Sequence, residues 1–380
     1  MSKALLVGDL HIPNSKSSIS NSDTFQEIFN TFSLIKNTIE IEKPDYTIFF
    51  GDIFDSPYSI TTPVISIISK IIYDMSLETS LIFIVGNHDD VDNKANNIKI
   101  GDSTLNIRSS LLSTFSYYPN VMVFDRPSVV HLDNTNIEIA FIPYSTNIIE
   151  SLDSIKNKFA IGTTRIAMGH FDTKHGYNMI LKDDCDVSEN IPTPEELIDK
   201  YKYDLVLLGH IHDPQEIKVR DKLVKYIGSC RNVDFRNTGE NKGIYMMDFD
   251  DMSMRYIDNP YTYIYKVFRN FDIFSDYCTE STEEKLSRTK IQYIYSNSQE
   301  TRDISKLKHF FKSVNFQKSM IDDSGLKSSN ISADAFKEFE SMINNNLITK
   351  EKLVDYALQF KEPVNKQNAI DILKIFNYHD

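Results

Sequence analysis

Residues 205–212 read Leu205-Val206-Leu207-Leu208-Gly209-His210-Ile211-His212. An apolar run of strand length ends in a glycine, and two imidazoles follow at once. The same order recurs four times upstream. Gly8-Asp9-Leu10-His11, Gly51-Asp52, Gly86-Asn87-His88-Asp89 and Gly169-His170 close the runs Ala4 to Val7, Tyr46 to Phe50, Leu81 to Val85 and Thr164 to Met168. These turns use five of only 12 glycines and five of only nine histidines. Strands that all deliver such side chains at their C-terminal ends predict one cluster above a sheet edge, where open α/β folds place their sites. Glycine at each turn allows positive φ and close backbone approach.

Outward from these runs, strand-length and helix-length segments alternate, the pattern of β-α units around central sheets. Ile137 to Ile142 adds a sixth run. Phe25, Ile28, Phe29, Phe32, Ile35 and Ile39 recur at helical spacing behind Asp23, read as the cap. Pro63 to Met75 reads as a second helix. After Gly228 the text becomes aromatic and β-rich, with strands expected over Gly243 to Phe249, Tyr261 to Phe268 and Lys290 to Tyr295. The polar stretches Asp276 to Arg288 and Asp322 to Asn330 read as loops, with a helix near Ile304 to Phe311 between them. Short amphipathic helices are expected over 331–376, capped near Ser332 and Thr349.

Composition marks the same division. The 380 residues carry 41 Lys+Arg against 54 Asp+Glu, a net charge of -13. Residues 261–380 hold 17 of each sign, so the whole excess lies in residues 1–260, with 24 basic and 37 acidic side chains. That balance excludes a protein that grips nucleic acid with a globally basic surface. Cys185, Cys230 and Cys278 are scattered and odd in number, which fits reduced thiols rather than disulfides or a thiolate zinc site. No stretch approaches the roughly 20 apolar residues of a membrane span, so a soluble, cytoplasmic protein is expected.

Asp9, His11, Asp52, Asn87, His170, His210 and His212 form a donor set of carboxylates, a carboxamide and imidazoles without thiolates. Such a set suits divalent ions such as Mn²⁺, Fe²⁺ or Zn²⁺. Seven donors are too many for one ion and divide between two ions roughly 3.5 to 4 Å apart if one carboxylate bridges them. Any single turn would be read more simply as a capped turn or a hydrogen-bonded histidine. Five in register outweigh that reading.

In this order the motifs GDxH, GDxxD, GNHD, GH and GHxH resemble the signature of the calcineurin-like metallophosphoesterase superfamily. Within it, Gly51 to Asp55 (GDIFD), Leu207 to Gln215 (LLGHIHDPQ), Tyr226 to Ser229 and Gly239 to Gly243 are similar to SbcD-type DNA repair and recombination nucleases, the phage versions included. The likeness spans most of residues 1–260 and is weak thereafter. It implies a four-layered α/β fold, two packed mixed β-sheets flanked by helices, with a small α/β capping domain and a C-terminal helical segment. The domains would be 1–260 for the phosphoesterase, 261–320 for the cap and 331–380 for docking on an ATPase.

The resemblance further implies Asp9, His11, Asp52 and His212 around one metal and Asp52, Asn87, His170 and His210 around the other. His88 would then contact the scissile phosphate and protonate the departing alkoxide. Asp55 and Asp89 would orient His11 or His88. The implied protein is a Mn²⁺-preferring DNA exo/endonuclease subunit, with Fe²⁺, Zn²⁺ or Mg²⁺ as other candidate ions. It would act on DNA as a homodimer with an SbcC-like ATPase, and helix 63–75 and segment 105–115 would be dimer surfaces. A stand-alone phosphoesterase for nucleotides or phosphoproteins is the alternative, and a non-catalytic scaffold a third reading. The missing Asp-Arg-Gly continuation and GNHD in place of GNHE set the chain apart from protein phosphatases. No role is expected for His131, His309 or His379, and His175 reads as a loop histidine.

Overall fold

The computed structural model describes residues 2–13, 22–56, 58, 60–90, 97–100, 103–106, 110–174, 189–235, 242–295 and 311–318. The chain divides into two units, Met1–Gln317 and Lys318–Asp380, and of the second only Lys318 is described. The expected helices over 331–376, the loop 322–330, nearly all of the helix near Ile304, and His175, His309, His379 and Cys185 lie outside the described residues.

The first unit opens with β1 (Lys3–Val7), α1 (Ser22–Glu42), β2 (Tyr46–Phe49), α2 (Thr62–Ser76) and β3 (Ser80–Ile84). A hairpin of β4 (Asn97–Ile100) and β5 (Ser103–Asn106) follows, then β6 (Val121–Phe124), β7 (Ser128–His131), β8 (Ile137–Ile142), α3 (Ile148–Ile155), β9 (Thr164–Gly169), α4 (Pro194–Asp199) and β10 (Leu205–Leu208). The rest comprises β11 (Gln215–Val219), β12 (Lys222–Tyr226), β13 (Gly243–Asp248), β14 (Met254–Asp258), β15 (Ile264–Phe268), α5 (Phe271–Glu280), α6 (Glu283–Ser287), β16 (Thr289–Tyr295) and β17 (Ser313–Lys318).

Two six-stranded mixed sheets result, ordered β14-β13-β1-β2-β3-β6 and β11-β12-β10-β9-β8-β7. Strand alternation sorts their side chains. Ala4, Leu6, Ile48, Phe50, Ile82 and Ile84 of one sheet pack with Ile139, Phe141, Ile166, Met168, Leu205 and Leu207 of the other in one buried cluster. The opposite face of the first sheet, with Leu5, Val7, Phe49 and Phe83, packs on Ile28, Phe32 and Ile35 of α1 and Ile68 and Ile72 of α2. Ile142, Ala167, Val206 and Leu208 of the second sheet pack on Ile148 and Leu152 of α3 and Leu197 of α4. The order is therefore helix, sheet, sheet, helix, and each fully buried Leu, Ile or Phe contributes about 1.5–3 kcal/mol.

Register decides where the turns fall. β1, β2 and β3 run parallel with Val7 opposite Phe49, and β9 and β10 run parallel with Gly169 opposite Leu208. The Gly8, Gly51 and Gly86 turns thus leave one edge of the first sheet, and the 170 and 209–212 turns leave one edge of the second.

Residues 264–295 and 311–318 build a separate three-stranded sheet, β15-β16-β17, around Phe268, Phe274, Leu286, Ile291, Tyr293 and Phe311. Here the loop expected over Asp276–Arg288 is corrected. Those residues lie largely in α5 and α6, whose Phe274 and Leu286 are buried while most other positions face outward. Asn270 caps α5 by accepting from the Asp272 and Ile273 amides, and Thr282 caps α6 by accepting from the Lys285 amide. Asp23, expected as the cap of α1, lies within its first turn, where its negative charge is stabilised by the positive end of the helix dipole.

Candidate metal centre

All seven expected donors converge. His11 Nε2 and His212 Nε2 stand 3.0 Å apart, with Asp9 Oδ2 3.5 Å from His212 Nε2. On the other side Asn87 Oδ1 lies 3.0 Å from both His170 Nε2 and His210 Nδ1, which are 3.2 Å from each other. Asp52 Oδ2 sits between the two groups, 3.6 Å from His11 Nε2 and 3.3 Å from His170 Nε2. Asp9, His11, Asp52 and Asn87 come from one sheet and His170, His210 and His212 from the other, so the cluster straddles the seam between the sheets.

Donor atoms in Asp9–His11–His212, His11–Asp52–His88 and Asp52–His170–His210 all fall within 4.8 Å of one another inside each group. Imidazole nitrogens facing each other at 3.0–3.2 Å beside carboxylate oxygens suit a cation, which replaces the proton otherwise needed between two lone pairs. The residues present therefore fit a divalent metal site. His88 belongs to the same space as Asp52 and His11. Its amide donates to Asp52 Oδ1 at 2.8 Å and its Nδ1 donates to the Asp55 carbonyl at 2.8 Å, which leaves Nε2 as the nitrogen for a reacting group.

The turns are forced into unusual backbone. His11 (φ 47°), Asp52 (φ 48°) and His210 (φ 77°) all adopt the left-handed region without being glycine, a strain that persists only where surroundings over-determine it. Those surroundings are visible. The Leu10 and His11 amides both donate to the Asp52 carbonyl, at 3.1 and 2.9 Å. The His210 amide donates to the Asp9 carboxylate at 3.2 Å. Gly51, itself at φ 94°, allows a close approach to the cluster: a Cβ there would lie 2.4 Å from His170 Nδ1.

Electrostatics follow from burial and proximity. Burial would raise the Asp52 carboxyl, but His170, with His11 and His88, overrides it and holds the group well below the usual carboxylate range. Burial would lower His170, yet Asp52 and Asp9 push its imidazole up to about 10. His11 is raised likewise, against burial, by Asp55, Asp52 and Asp9. Without a metal the cluster is thus a set of ion pairs.

The two expected orienting carboxylates differ. Asp55 Oδ1 lies 3.4 Å from His11 Nδ1. The buried Asp89 carboxylate bonds to backbone rather than to either imidazole: it accepts from the Ile53, Phe54 and Gly86 amides at 3.0, 3.2 and 3.1 Å and fastens the Asp52 turn to the Asn87 turn. Burial, then Asp52, raises its carboxyl to about 7. Asp172, which sequence reasoning missed, stands 3.2 Å from His210 Nε2. Only its place two residues beyond His170 could have hinted at this. Lys242 was also missed as a support; it is buried and donates to the His212 carbonyl at 2.5 Å.

A match to the calcineurin-like phosphoesterase family covers residues 2–214, more than half of the chain. The SbcD component of the nuclease SbcCD of Staphylococcus epidermidis is 24% identical over 225 residues, 57% of this chain and 58% of that protein. The chain thus spans less than two thirds of the length of that relative. Among solved structures, the purple acid phosphatase PPD1 of yellow lupin (Lupinus luteus) is 11% identical with a TM-score of 0.41, covering 68% of this chain and 51% of that one. An archaeal phosphodiesterase is 14% identical with a TM-score of 0.33, covering 67% and 99%. The layered sheets, the converging turns and the family match lead to one conclusion: the chain belongs to the calcineurin-like phosphoesterase family.

Proposed function

We propose that this phosphoesterase is a two-metal, Mn²⁺-dependent DNA nuclease subunit. The convergence of seven donors on one seam carries the reading, supported by the nuclease component among its relatives. Asp9, His11, Asp52 and His212 would hold one ion, and Asp52, Asn87, His170 and His210 the other. Bound divalent ions supply Lewis acidity, which lowers the pKa of water and neutralises charge on the phosphoryl group. Asp52 lies between the two donor groups and fixes their separation. His88, held at Nδ1 by the Asp55 carbonyl, aims Nε2 at the departing oxygen and delivers its proton.

An acidic chain holds DNA through such ions and through local basic groups. A cavity of about 400 Å³ opens beside His11 and Asp55 and is bounded by Phe235, Tyr265, Lys290 and Lys312, aromatic and cationic groups suited to bases and phosphates. Residues 261–320 act as the cap in this reading, and 331–380 dock on an SbcC-like ATPase in a complex of two subunits of each kind in the cytoplasm. No helix among the described residues is long and apolar enough to cross a membrane.

The test is degradation of linear DNA with Mn²⁺, with and without the partner ATPase. His88→Ala should abolish cleavage while Mn²⁺ binding largely remains; full activity in that variant removes His88 from the chemistry. Deleting 331–380 should abolish co-purification of the ATPase and spare basal phosphodiesterase activity. Turnover of small cyclic nucleotides with none on DNA would redirect the assignment to a stand-alone enzyme.

A further inference from the structure

Behind the His11 turn lies a buried polar bridge that takes no part in the site chemistry described above. Arg231 is 2% exposed and Glu27 1%. One guanidinium grips two successive carbonyls of the turn: Nε donates to Leu10 O and Nη2 to His11 O, each at 2.7 Å. Its Nη1 donates to the Asn232 carbonyl at 3.0 Å and faces Glu27 Oε2 at 3.4 Å. The other Glu27 oxygen accepts from the Tyr263 amide at 2.9 Å and the Thr262 hydroxyl at 3.1 Å. Asn232 adds its amide to Thr262 Oγ1 at 2.8 Å and its Nδ2 to the Tyr263 carbonyl at 3.0 Å. Asn259 Nδ2 donates to Cys230 O at 2.8 Å. Residues 259–263 are the whole connection between β14 and the appended sheet, so one continuous network runs from that connection to the backbone of His11.

Energy alone does not explain this arrangement. A buried ion pair is often no more stable than well-packed apolar side chains of the same volume. What a planar fork adds is geometry, since it fixes two acceptors at once. The fork holds a residue in the strained left-handed region, at φ 47°, whose imidazole belongs to the metal cluster.

We propose that Arg231 and Glu27 are positioning residues that couple the connection into the β15–β17 sheet to the placement of His11, and so to cation affinity on the Asp9–His11–His212 side. The inference rests on the metal-site reading above. Contacts made by the appended sheet would then bias that side of the cluster before any ligand touches it.

The experiment is Mn²⁺ titration of the full chain by calorimetry and electron paramagnetic resonance, with hydrogen exchange at the Leu10 and His11 amides of the metal-free protein. Arg231→Lys keeps the charge and loses the fork; Thr262→Val touches no expected ligand. Both should weaken one of two Mn²⁺ sites, by about tenfold or more for Arg231→Lys, leave the other near its wild-type affinity, and speed exchange at Leu10 and His11. Glu27→Gln combined with Arg231→Lys should be less than additive on that site. Wild-type affinity at both sites in folded Arg231→Lys and Thr262→Val overturns the coupling, as does equal weakening of both sites in proportion to lost stability. A wild-type chain that binds no Mn²⁺ overturns the metal-site reading itself, a result distinct from either.

Discussion

Gly51→Ala gives the sharpest perturbation of the centre, because the structure supplies both halves of its cost. Gly51 has φ 94°, a left-handed conformation worth about 1–2 kcal/mol to any residue with a Cβ. The new methyl would also lie 2.4 Å from His170 Nδ1 and 2.9 Å from Gly86 Cα. Ordinary contact begins near 3.5 Å, so the ring must yield by about 1 Å. That movement breaks the 2.6 Å bond from His170 Nδ1 to the Phe50 carbonyl, worth about 1 kcal/mol. Backbone and ring together cost about 2–3 kcal/mol, and a loss of roughly 10–100-fold in Mn²⁺ affinity accompanies the displaced imidazole. Gly162→Ala isolates the first half: its φ is 83°, but a Cβ there meets nothing within 4 Å. Urea unfolding and Mn²⁺ calorimetry on the two variants read the difference. If Gly51→Ala matches Gly162→Ala in both, the close approach of Gly51 to His170 does not organise the centre.

Further outcomes follow from neighbouring contacts. Metal affinity should rise with pH, because His170 is held protonated up to about 10 and a cation must displace that proton; calorimetry in buffers of different ionisation enthalpy should detect proton release, and its absence contradicts the ion-pair description. In the metal-free protein the raised His170 stabilises fully below its unfolded value of 6.5 and loses that contribution as pH climbs through about 10, while the lowered Asp52 stabilises above 3.8 and loses it in acid. Chelated protein should therefore weaken from neutral to alkaline pH in denaturant titrations, and added Mn²⁺ should reverse the trend. Asp89→Asn turns an amide donor toward one of three backbone N–H groups, at a cost of about 1–3 kcal/mol; an unchanged urea midpoint at pH 8 would exclude the fastening role. Asp172→Asn should lower Mn²⁺ affinity by about 10-fold or more through His210, and an unaltered binding isotherm would leave Asp172 without that role.

The parallel strands β1–β3, β9 and β10 were legible because a strand-length apolar run followed by glycine is a local signal; that their turns leave two packed sheets rather than one edge, and meet at the seam, is a matter of tertiary packing. α1 was legible from the helical spacing of Ile28, Phe32 and Ile35, and α2 as the segment Pro63 to Met75. α5 and α6 were not, because each buries one or two residues on a small sheet and presents polar side chains elsewhere; Asn270 and Thr282 were the only local signs of their starts. Asp172, Lys242 and Arg231 share a different obstacle, and so does the backbone-fastening role of Asp89, a residue expected instead to orient a histidine. Each acts on a backbone or ring brought close by tertiary packing, and apart from the place of Asp172 two residues beyond His170 the local sequence does not show with what.

The pairing of β1 has a consequence for synthesis. Lys3 lies opposite Asp248 in the register of β1 with β13, and the Arg231 fork that grips the His11 turn is also encoded more than two hundred positions after it. At about 5–20 residues per second, roughly 10–50 s separate the emergence of Asp9 and His11 from that of the strand and the guanidinium that hold them. Throughout that interval the nascent chain carries Asp9 and His11, joined in turn by Asp52 and Asn87, without their clamp. Metal capture should accordingly be a late event, completed only after β13 closes the sheet over the first strand made.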